Sequence, residues 1–206
     1  RDYRGGGRSS GRETIGRVAA GAIASKILKE LGIVFCTYTK SIGPVTIETI
    51  DVDEIPNNPF YMPDAKAAAK VKEYADQMIK EMDSVGGIIE CVIQGVNPGV
   101  GDPVFDKLSA DLGKAVLSIG SIKGFEIGDG FRVAEARGSE NNDEFMEKDG
   151  KIVKRTNHSG GVLGGISDGS PIIFRAAVKP TPSIAREQHT ADRFGKEVAI
   201  EIKGRH

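Results

Sequence analysis

The most informative stretch is DYRGGGRSSGRET, residues 2–14, in which a glycine-rich loop leads into the start of a helix. Ser10 and Glu13 have the spacing of a capping box, in which a serine caps the first amides and a glutamate reaches back. Apolar residues then recur at helical spacing as far as Leu31, and Gly32 indicates the end of the helix. We therefore expect a loop that presents its glycines at a helix N-terminus.

The same stretch has the chemistry of an anion site. Backbone amides and the positive end of the helix dipole meet at a helix N-terminus. Over residues 1–12, Arg1, Arg4, Arg8 and Arg12 against Asp2 leave a local charge of +3, and guanidinium groups match phosphate and carboxylate geometry. The stretch lacks the lysine of a P-loop and does not match a dinucleotide fingerprint. A phosphorylated ligand held in another way is expected.

A second glycine-rich stretch, NHSGGVLGGI at 157–166, is followed by KPTPS at 179–183. Glycines let a flat ring or a phosphate lie against the main chain, and two prolines stiffen the turn that presents Lys179, Thr181 and Ser183. His158 on its own is more often a structural hydrogen-bonding histidine than a catalyst. No histidine pairs with Cys, Asp or Glu at metal-ligand spacing, so no metal site is expected.

Composition narrows the class of protein. The 206 residues carry 28 Lys and Arg against 29 Asp and Glu, a net charge of -1, and 39% are hydrophobic. This balance favours a globular protein with neither nucleic acid nor membrane as partner. Cys36 and Cys91 are too few for a disulfide framework, which favours buried thiols and a cytoplasmic location.

The order of elements predicts an α+β fold, a mixed β-α-β sandwich with helices packed between or against antiparallel sheets. Helix and strand signals alternate without a strict parallel rhythm, and residues 1–206 read as one domain. A helix is expected from Asp64 to about Ser84 with Met82 facing inward, and a strand over 131–136. The charged segment 138–157 is expected to be a mobile surface loop that acts as a ligand lid.

Several of these stretches closely resemble the chorismate synthase family. The similarity is strongest over residues 2–24, 158–183 and the terminal GRH at 204–206, and GFEIG at 124–128 and GSENNDE at 138–144 fall in the family's order. The resemblance implies a lyase that eliminates phosphate from 5-enolpyruvylshikimate 3-phosphate to give chorismate, with reduced FMN as cofactor. It also implies a homotetramer and leaves NADPH open as the reductant of the flavin.

Carried over by position, the resemblance implies FMN contacts in five places and one substrate contact. Arg12 is the residue expected to bind a substrate anion. Gly120 and Ser121 stand where the family commonly has Asn-Ala or Pro-Ala, so a contact there would be mainly through the backbone. The expected FMN contacts are Arg8, Ser9, Ser10, Gly120, Ser121, Gly164, Lys179, Pro180, Thr181, Pro182, Ser183 and Arg205.

The resemblance has gaps that bear on activity. Family members carry two histidine motifs, GESHG and RPGHAD, in about a hundred residues before this region, and a DPC-containing tail after GRH; none of these motifs occurs here. The catalytic residues are therefore unknown, and the 206-residue chain taken alone is expected to be inactive. The alternative is a non-catalytic fragment that binds FMN or another phosphoanion.

Overall fold

The computed structural model describes residues 5–202. Within them the chain divides into two compact units. Unit 1 takes in the chain as far as Thr37 together with Ile89–Ala177, and unit 2 takes in Tyr38–Ile88 together with the chain from Val178 onward. The description of residues 1–206 as a single domain stays a prediction.

The elements are helices and mostly antiparallel strands, which confirms the predicted α+β class. The α-helices of the described part are α1 Thr14–Glu30, α2 Ala65–Lys80, α3 Leu108–Leu117 and α4 Gly138–Asn141. The strands are β1 Val34–Ile42, β2 Val45–Thr46, β3 Gly87–Gln94, β4 Ile122–Ile127, β5 Phe145–Lys148, β6 Lys151–Lys154, β7 Val162–Leu163, β8 Ile166–Ser167, β9 Ile172–Val178, β10 Gln188–Ala191 and β11 Glu197–Ile200.

One five-stranded sheet has the order β2-β1-β3-β9-β4. Three two-stranded antiparallel hairpins accompany it: β5 with β6, β7 with β8, and β10 with β11. In the first hairpin Phe145 pairs with Lys154 and Lys148 with Lys151. Segment 138–157 therefore contains α4 and a regular hairpin, while its expected mobility as a lid stays a prediction.

Unit 1 has its core around strands β3 and β9. Cys91, Ile93, Val162 and Ile172 are buried there, and side chains of β4, α3 and the segment before β1 pack against them. Burial raises the pKa of the Cys91 thiol, and Thr37 Oγ1 lies 3.2 Å from its Sγ. The expectation of buried thiols holds for Cys91, whereas Cys36 is half-buried.

Helix α1 ends as the sequence predicts, at a left-handed glycine. Gly32 has a φ of +80°, and the amide of Ile33 donates to the carbonyl of Leu28, which is the pattern of a glycine-terminated helix. The apolar side chains of the helix are not covered by the rest of the described chain, since Ile15, Val18 and Ile23 are 65–77% exposed. An apolar helix surface of this kind is typical of a contact face.

Unit 2 is built around the start of α2. Met62, Ala67, Ala68 and Val71 are buried together. The helix begins directly after Asp64, close to the predicted start, and Asp64 caps it: its carboxylate accepts hydrogen bonds from the amides of Glu48, Thr49 and Ala67 at 2.9–3.2 Å.

Two details of the sequence reading are wrong. Helix α2 ends at Lys80, and Met82 follows it with a φ of +54° and 54% exposure, so Met82 does not face inward. The segment expected as a strand over 131–136 is instead a 3-10 turn over Gly130–Ala134. The turn forms because Oε2 of Glu126 accepts the amide of Phe131 at 3.1 Å, which removes that amide from strand pairing.

Candidate functional site

The first glycine loop turns directly into α1. Gly6 and Gly7 have φ angles of +83° and +53°, a region that glycine adopts without strain. Two 3-10 turns follow, at Gly7–Ser9 and Gly11–Glu13, before the α-helix begins. Ser10 lies between these turns, and its Oγ accepts a hydrogen bond from the amide of Arg12 at 3.3 Å. The predicted position of Ser10 at the helix start is confirmed, with the first turn in the 3-10 form.

The predicted capping box forms only on its serine side. Oε2 of Glu13 accepts a hydrogen bond from Nη1 of Arg8 at 2.8 Å instead of reaching back to the amide of Ser10. A charge-assisted bond to a guanidinium is stronger than a bond to a neutral amide, so the arginine captures the carboxylate. The Arg8 side chain is 94% exposed, and such an exposed pair is weak and screened by solvent. Arg8 is therefore able to exchange Glu13 for a stronger anion.

A cleft of about 680 Å³ lies beside this helix start. Its volume falls within the range of small-molecule sites. It brings together four residues that the sequence predicted as ligand contacts: Arg8, Ser9, Ser10 and Gly120. The complete lining is Arg8, Ser9, Ser10, Glu13, Thr14, Gly16, Arg17, Ser118 and Gly120.

The electrostatics of the cleft suit an anion. Two guanidinium groups, those of Arg8 and Arg17, face one carboxylate, that of Glu13. The hydrogen bond and charge of Glu13 raise the pKa of Arg8 above its usual value, so Arg8 stays cationic. Nη2 of Arg17 donates to the carbonyl of Ser118 at 3.2 Å, which fixes this arginine at the wall of the cleft.

The second glycine-rich stretch is held by a buried ionic cluster, here called the buried triad: Asp143, Lys154 and Asp168. The three side chains are 2–7% exposed, and Nζ of Lys154 lies 3.1 Å and 2.8 Å from the two carboxylates. Asp143 also accepts the amides of His158 and Ser159 at 2.7 Å and 3.0 Å. Burial acts to raise the pKa of Asp143, but the hydrogen bonds from Ser159, Thr156 and the amide of His158 together hold it well below its usual value.

A sequence model of the family described as chorismate synthase matches residues 1–206. The chain belongs to the chorismate synthase family. It is 64% identical to the chorismate synthase of Agathobacter rectalis and 50% identical to that of Methanosarcina mazei, each over the whole of this chain. These alignments cover 57% and 58% of the two relatives, so the chain spans a little over half of their length.

A solved structure supports the same assignment. A crystal structure of a chorismate synthase matches 85% of this chain and 57% of its own chain, with a TM-score of 0.80 and 32% sequence identity. The α+β architecture is therefore the architecture of a chorismate synthase, read over part of its length.

Two of the residues inferred from the chorismate synthase resemblance stand outside the lining of the Arg8 cleft. Nη2 of Arg12 donates to the carbonyl of Gly5 at 3.1 Å, so this arginine braces the glycine loop. Ser121 directly follows the lining residue Gly120 and has a φ of +72°. The roles expected of Arg12 and Ser121 stay predictions.

The other expected contacts lie elsewhere in the two units. Gly164, in the β7–β8 turn of unit 1, has a φ of +60° with open space beside it, and it is not part of the cleft lining. Lys179, Pro180, Thr181, Pro182 and Ser183 belong to unit 2. There the carbonyl of Thr181 accepts a hydrogen bond from Oγ of Ser84 at 2.7 Å, and Nζ of Lys179 lies 3.3 Å from the carbonyl of Pro180. Arg205 lies outside the described residues.

Sequence reasoning missed part of the cleft. Thr14, Arg17 and Ser118 line it without having been singled out. Helical spacing could have identified Thr14 and Arg17. They are three residues apart on α1 and therefore lie on the same face of the helix, and Thr14 closely follows Ser9 and Ser10 in the sequence. Ser118 carries no sequence signal, since only tertiary packing brings it to α1.

Two absences hold for residues 5–202. No group of three or more His, Cys, Asp or Glu side chains is arranged to hold a metal ion. No helix in this part of the chain is long and apolar enough to cross a bilayer.

Proposed function

We propose that the protein carrying this chain converts 5-enolpyruvylshikimate 3-phosphate to chorismate and phosphate, as a lyase of the shikimate pathway that uses reduced FMN. The cleft at the start of α1 carries this proposal. It gathers Arg8, Ser9, Ser10 and Gly120 around one volume, in a chain that matches the family along its whole length.

The residues of the cleft fit the phosphate end of FMN. A phosphate monoester is a dianion with three acceptor oxygens, which suits guanidinium donors and serine hydroxyls. Within residues 5–202, Arg8 forms an ion pair with the exposed carboxylate of Glu13, and a dianion that binds at this place would replace that carboxylate. Gly120 adds no side chain and leaves its backbone open to a ligand, since no atom of residues 5–202 apart from its chain neighbours lies within 4 Å of where a Cβ would stand.

The proposed elimination breaks the C3–oxygen bond to phosphate and the C6–H bond, and it forms a second double bond in the ring. Bound reduced FMN supplies electron density transiently and a place for the C6 proton, with no net redox change. Arg8 and Arg17 neutralise anionic charge, and Ser9 and Ser10 offer hydroxyl donors that orient a phosphate. Within residues 5–202 no histidine lines the cleft, so the contribution of this chain there is binding and charge neutralisation.

The proposal also covers the oligomeric state and the cellular location of the protein. We propose a cytoplasmic homotetramer. Ile15, Val18 and Ile23 of α1 are largely exposed. An apolar helix face of this kind is typical of a contact with further protein surface, which supports an assembly. Native mass spectrometry of the purified protein tests the tetramer, and a dimer or monomer would contradict it.

The decisive experiment measures product in the absence of oxygen. The purified protein is mixed with the phosphorylated enolpyruvyl substrate and reduced FMN, and chorismate absorbance and free phosphate are recorded together. We expect the two products in equal amounts with reduced FMN and none with oxidised FMN. Tight FMN binding without either product would instead favour the alternative, a binding protein that lacks the proton donors.

A further inference from the structure

A second cavity of unit 1 lies at the end of β4 and shares no lining residue with the Arg8 cleft. Its volume is about 500 Å³, which suits a small organic molecule. The lining is mainly apolar, and its polar members are Glu126, His158, Ser159 and Asn141, whose buried Oδ1 has no hydrogen-bond partner within residues 5–202. The apolar side chains are those of Phe125, Ile127, Phe131, Val133, Ala134 and Val162.

His158 is held at two points. Its Nδ1 lies 2.7 Å from Oδ2 of Asp129, and its amide donates to Oδ1 of Asp143 at 2.7 Å. Asp143 belongs to the buried triad and is itself bound by Lys154 at 3.1 Å. A carboxylate next to Nδ1 favours the tautomer with the proton on that nitrogen, which leaves Nε2 of the neutral ring as an acceptor. The ring is 30% exposed and thus reachable from solvent.

The aromatic wall is also held in place. The amide of Phe131 donates to Oε2 of Glu126 at 3.1 Å, and Oε1 of the same carboxylate accepts from Nε of Arg175 at 3.0 Å. A Cβ on Gly130 would stand 1.9 Å from Glu126, so only glycine permits this close approach. The result is a fixed backbone that presents the Phe131 ring, 84% exposed, beside the cavity. An exposed ring beside a mainly apolar lining offers a stacking surface to an aromatic ligand.

Charge separates this cavity from the Arg8 cleft. Among its lining residues in the described part of the chain, only Glu126 is charged, and both of its oxygens are already hydrogen-bonded. No lysine or arginine lines the cavity, so a phosphate or carboxylate would enter without a cationic partner, which is unfavourable. The occupant that fits is therefore a neutral ring.

We propose that this cavity binds a neutral aromatic molecule bearing a hydroxyl group, a phenol, whose O–H donates to Nε2 of His158. Phe125 and Phe131 offer ring contacts that suit an aromatic occupant. The site stands independently of FMN binding, because its residues and its charge differ from those of the Arg8 cleft.

The test compares phenol with anisole, which keeps the ring but has no O–H to donate. Both are titrated into the purified protein, with ¹⁵N spectra of the imidazole rings as the readout; the chain has only three histidines, His158, His189 and His206. We expect phenol to bind about five- to tenfold more tightly than anisole, the worth of one neutral hydrogen bond. Phenol should shift Nε2 of His158 and leave His189 unchanged.

Two variants complete the test. His158→Phe keeps a ring at this place and should make the phenol and anisole affinities equal. Phe131→Ala should weaken both ligands by a similar factor, because it removes a wall and not the acceptor. Equal affinities in the unaltered protein, a shift at His189 as large as that at His158, or exclusion of phenol by another protein chain seated on Phe131 would each overturn the proposal. The spectra of the unaltered protein decide the matter even where a variant fails to fold.

Discussion

Replacing Lys154 with methionine should destabilise unit 1, because the lysine is the only cation of the buried triad. Its Nζ lies 2.8–3.1 Å from four oxygens: those of Asp143, Asn157, Ser159 and Asp168. Removal of the ammonium leaves two carboxylates that are 3% and 7% exposed without a cation. The loss of one partner of a buried pair costs about 3–5 kcal/mol.

We expect the lower end of that range, about 3 kcal/mol, since Asp143 keeps other donors, among them the amides of His158 and Ser159. In a chain of this length that corresponds to a fall in melting temperature of about 6–12 °C. Thermal and urea unfolding of Lys154→Met measure the change. The matched control is Lys151→Met, an exposed lysine on the same strand, which should stay within about 0.5 kcal/mol of the unaltered protein.

A second substitution sharpens the test. Lys154→Met combined with Asp168→Asn removes one of the stranded charges and should recover part of the lost stability. If Lys154→Met has the same melting temperature as Lys151→Met, or if the double variant is less stable than Lys154→Met alone, the ionic account of this cluster is wrong.

Further predictions concern acid unfolding, alanine substitutions at two glycines, and hydrogen exchange in the presence of FMN. The pKa of Asp64 is lowered to about 2, chiefly by the amides of Glu48 and Ala67. Its contribution, about 2–3 kcal/mol, is therefore complete above the unfolded pKa near 4 and is lost as the pH falls towards 2; Asp64→Asn should flatten this part of a pH-dependent unfolding curve. Gly128→Ala should cost more than 2 kcal/mol, because a Cβ at φ +58° would stand 2.1 Å from the carbonyl of His158, whereas Gly21→Ala, in open space on α1, should stabilise by about 0.5–1 kcal/mol; equal melting temperatures would contradict both. Hydrogen exchange of segment 138–157 should slow on addition of FMN if the segment acts as a lid, and equal protection would leave it a surface hairpin.

The sequence predictions that the structure confirms rest on local signals. Ser10 and Gly32 bracket the first helix, and the second begins directly after Asp64, because helix ends depend on a few neighbouring residues. Arg8, Ser9 and Ser10 line one cleft for the same local reason: they are consecutive residues at the start of one helix.

Long-range contacts decided what the sequence could not indicate. Asp143 and Lys154 lie in a charged segment that resembles solvated surface, yet both are buried, because Asp168 and the loop around Ser159 close over them. Glu126 converts the expected strand over 131–136 into a turn by a side-chain bond that has no sequence signature. Charge patterns show where ions occur along a chain but not which of them pair in the interior.

The affinity for FMN tests the central claim, that the cleft at the start of α1 holds an anionic cofactor. Dissociation constants are measured by calorimetry for the unaltered protein, Arg8→Ala and Arg8→Lys, with Arg193→Ala, an exposed arginine of unit 2, as the matched control. We expect Arg8→Ala to weaken binding about tenfold to a hundredfold through loss of a charge-assisted contact, Arg8→Lys to weaken it less, and the control to leave it unchanged. An Arg8→Ala constant equal to that of Arg193→Ala would contradict the account.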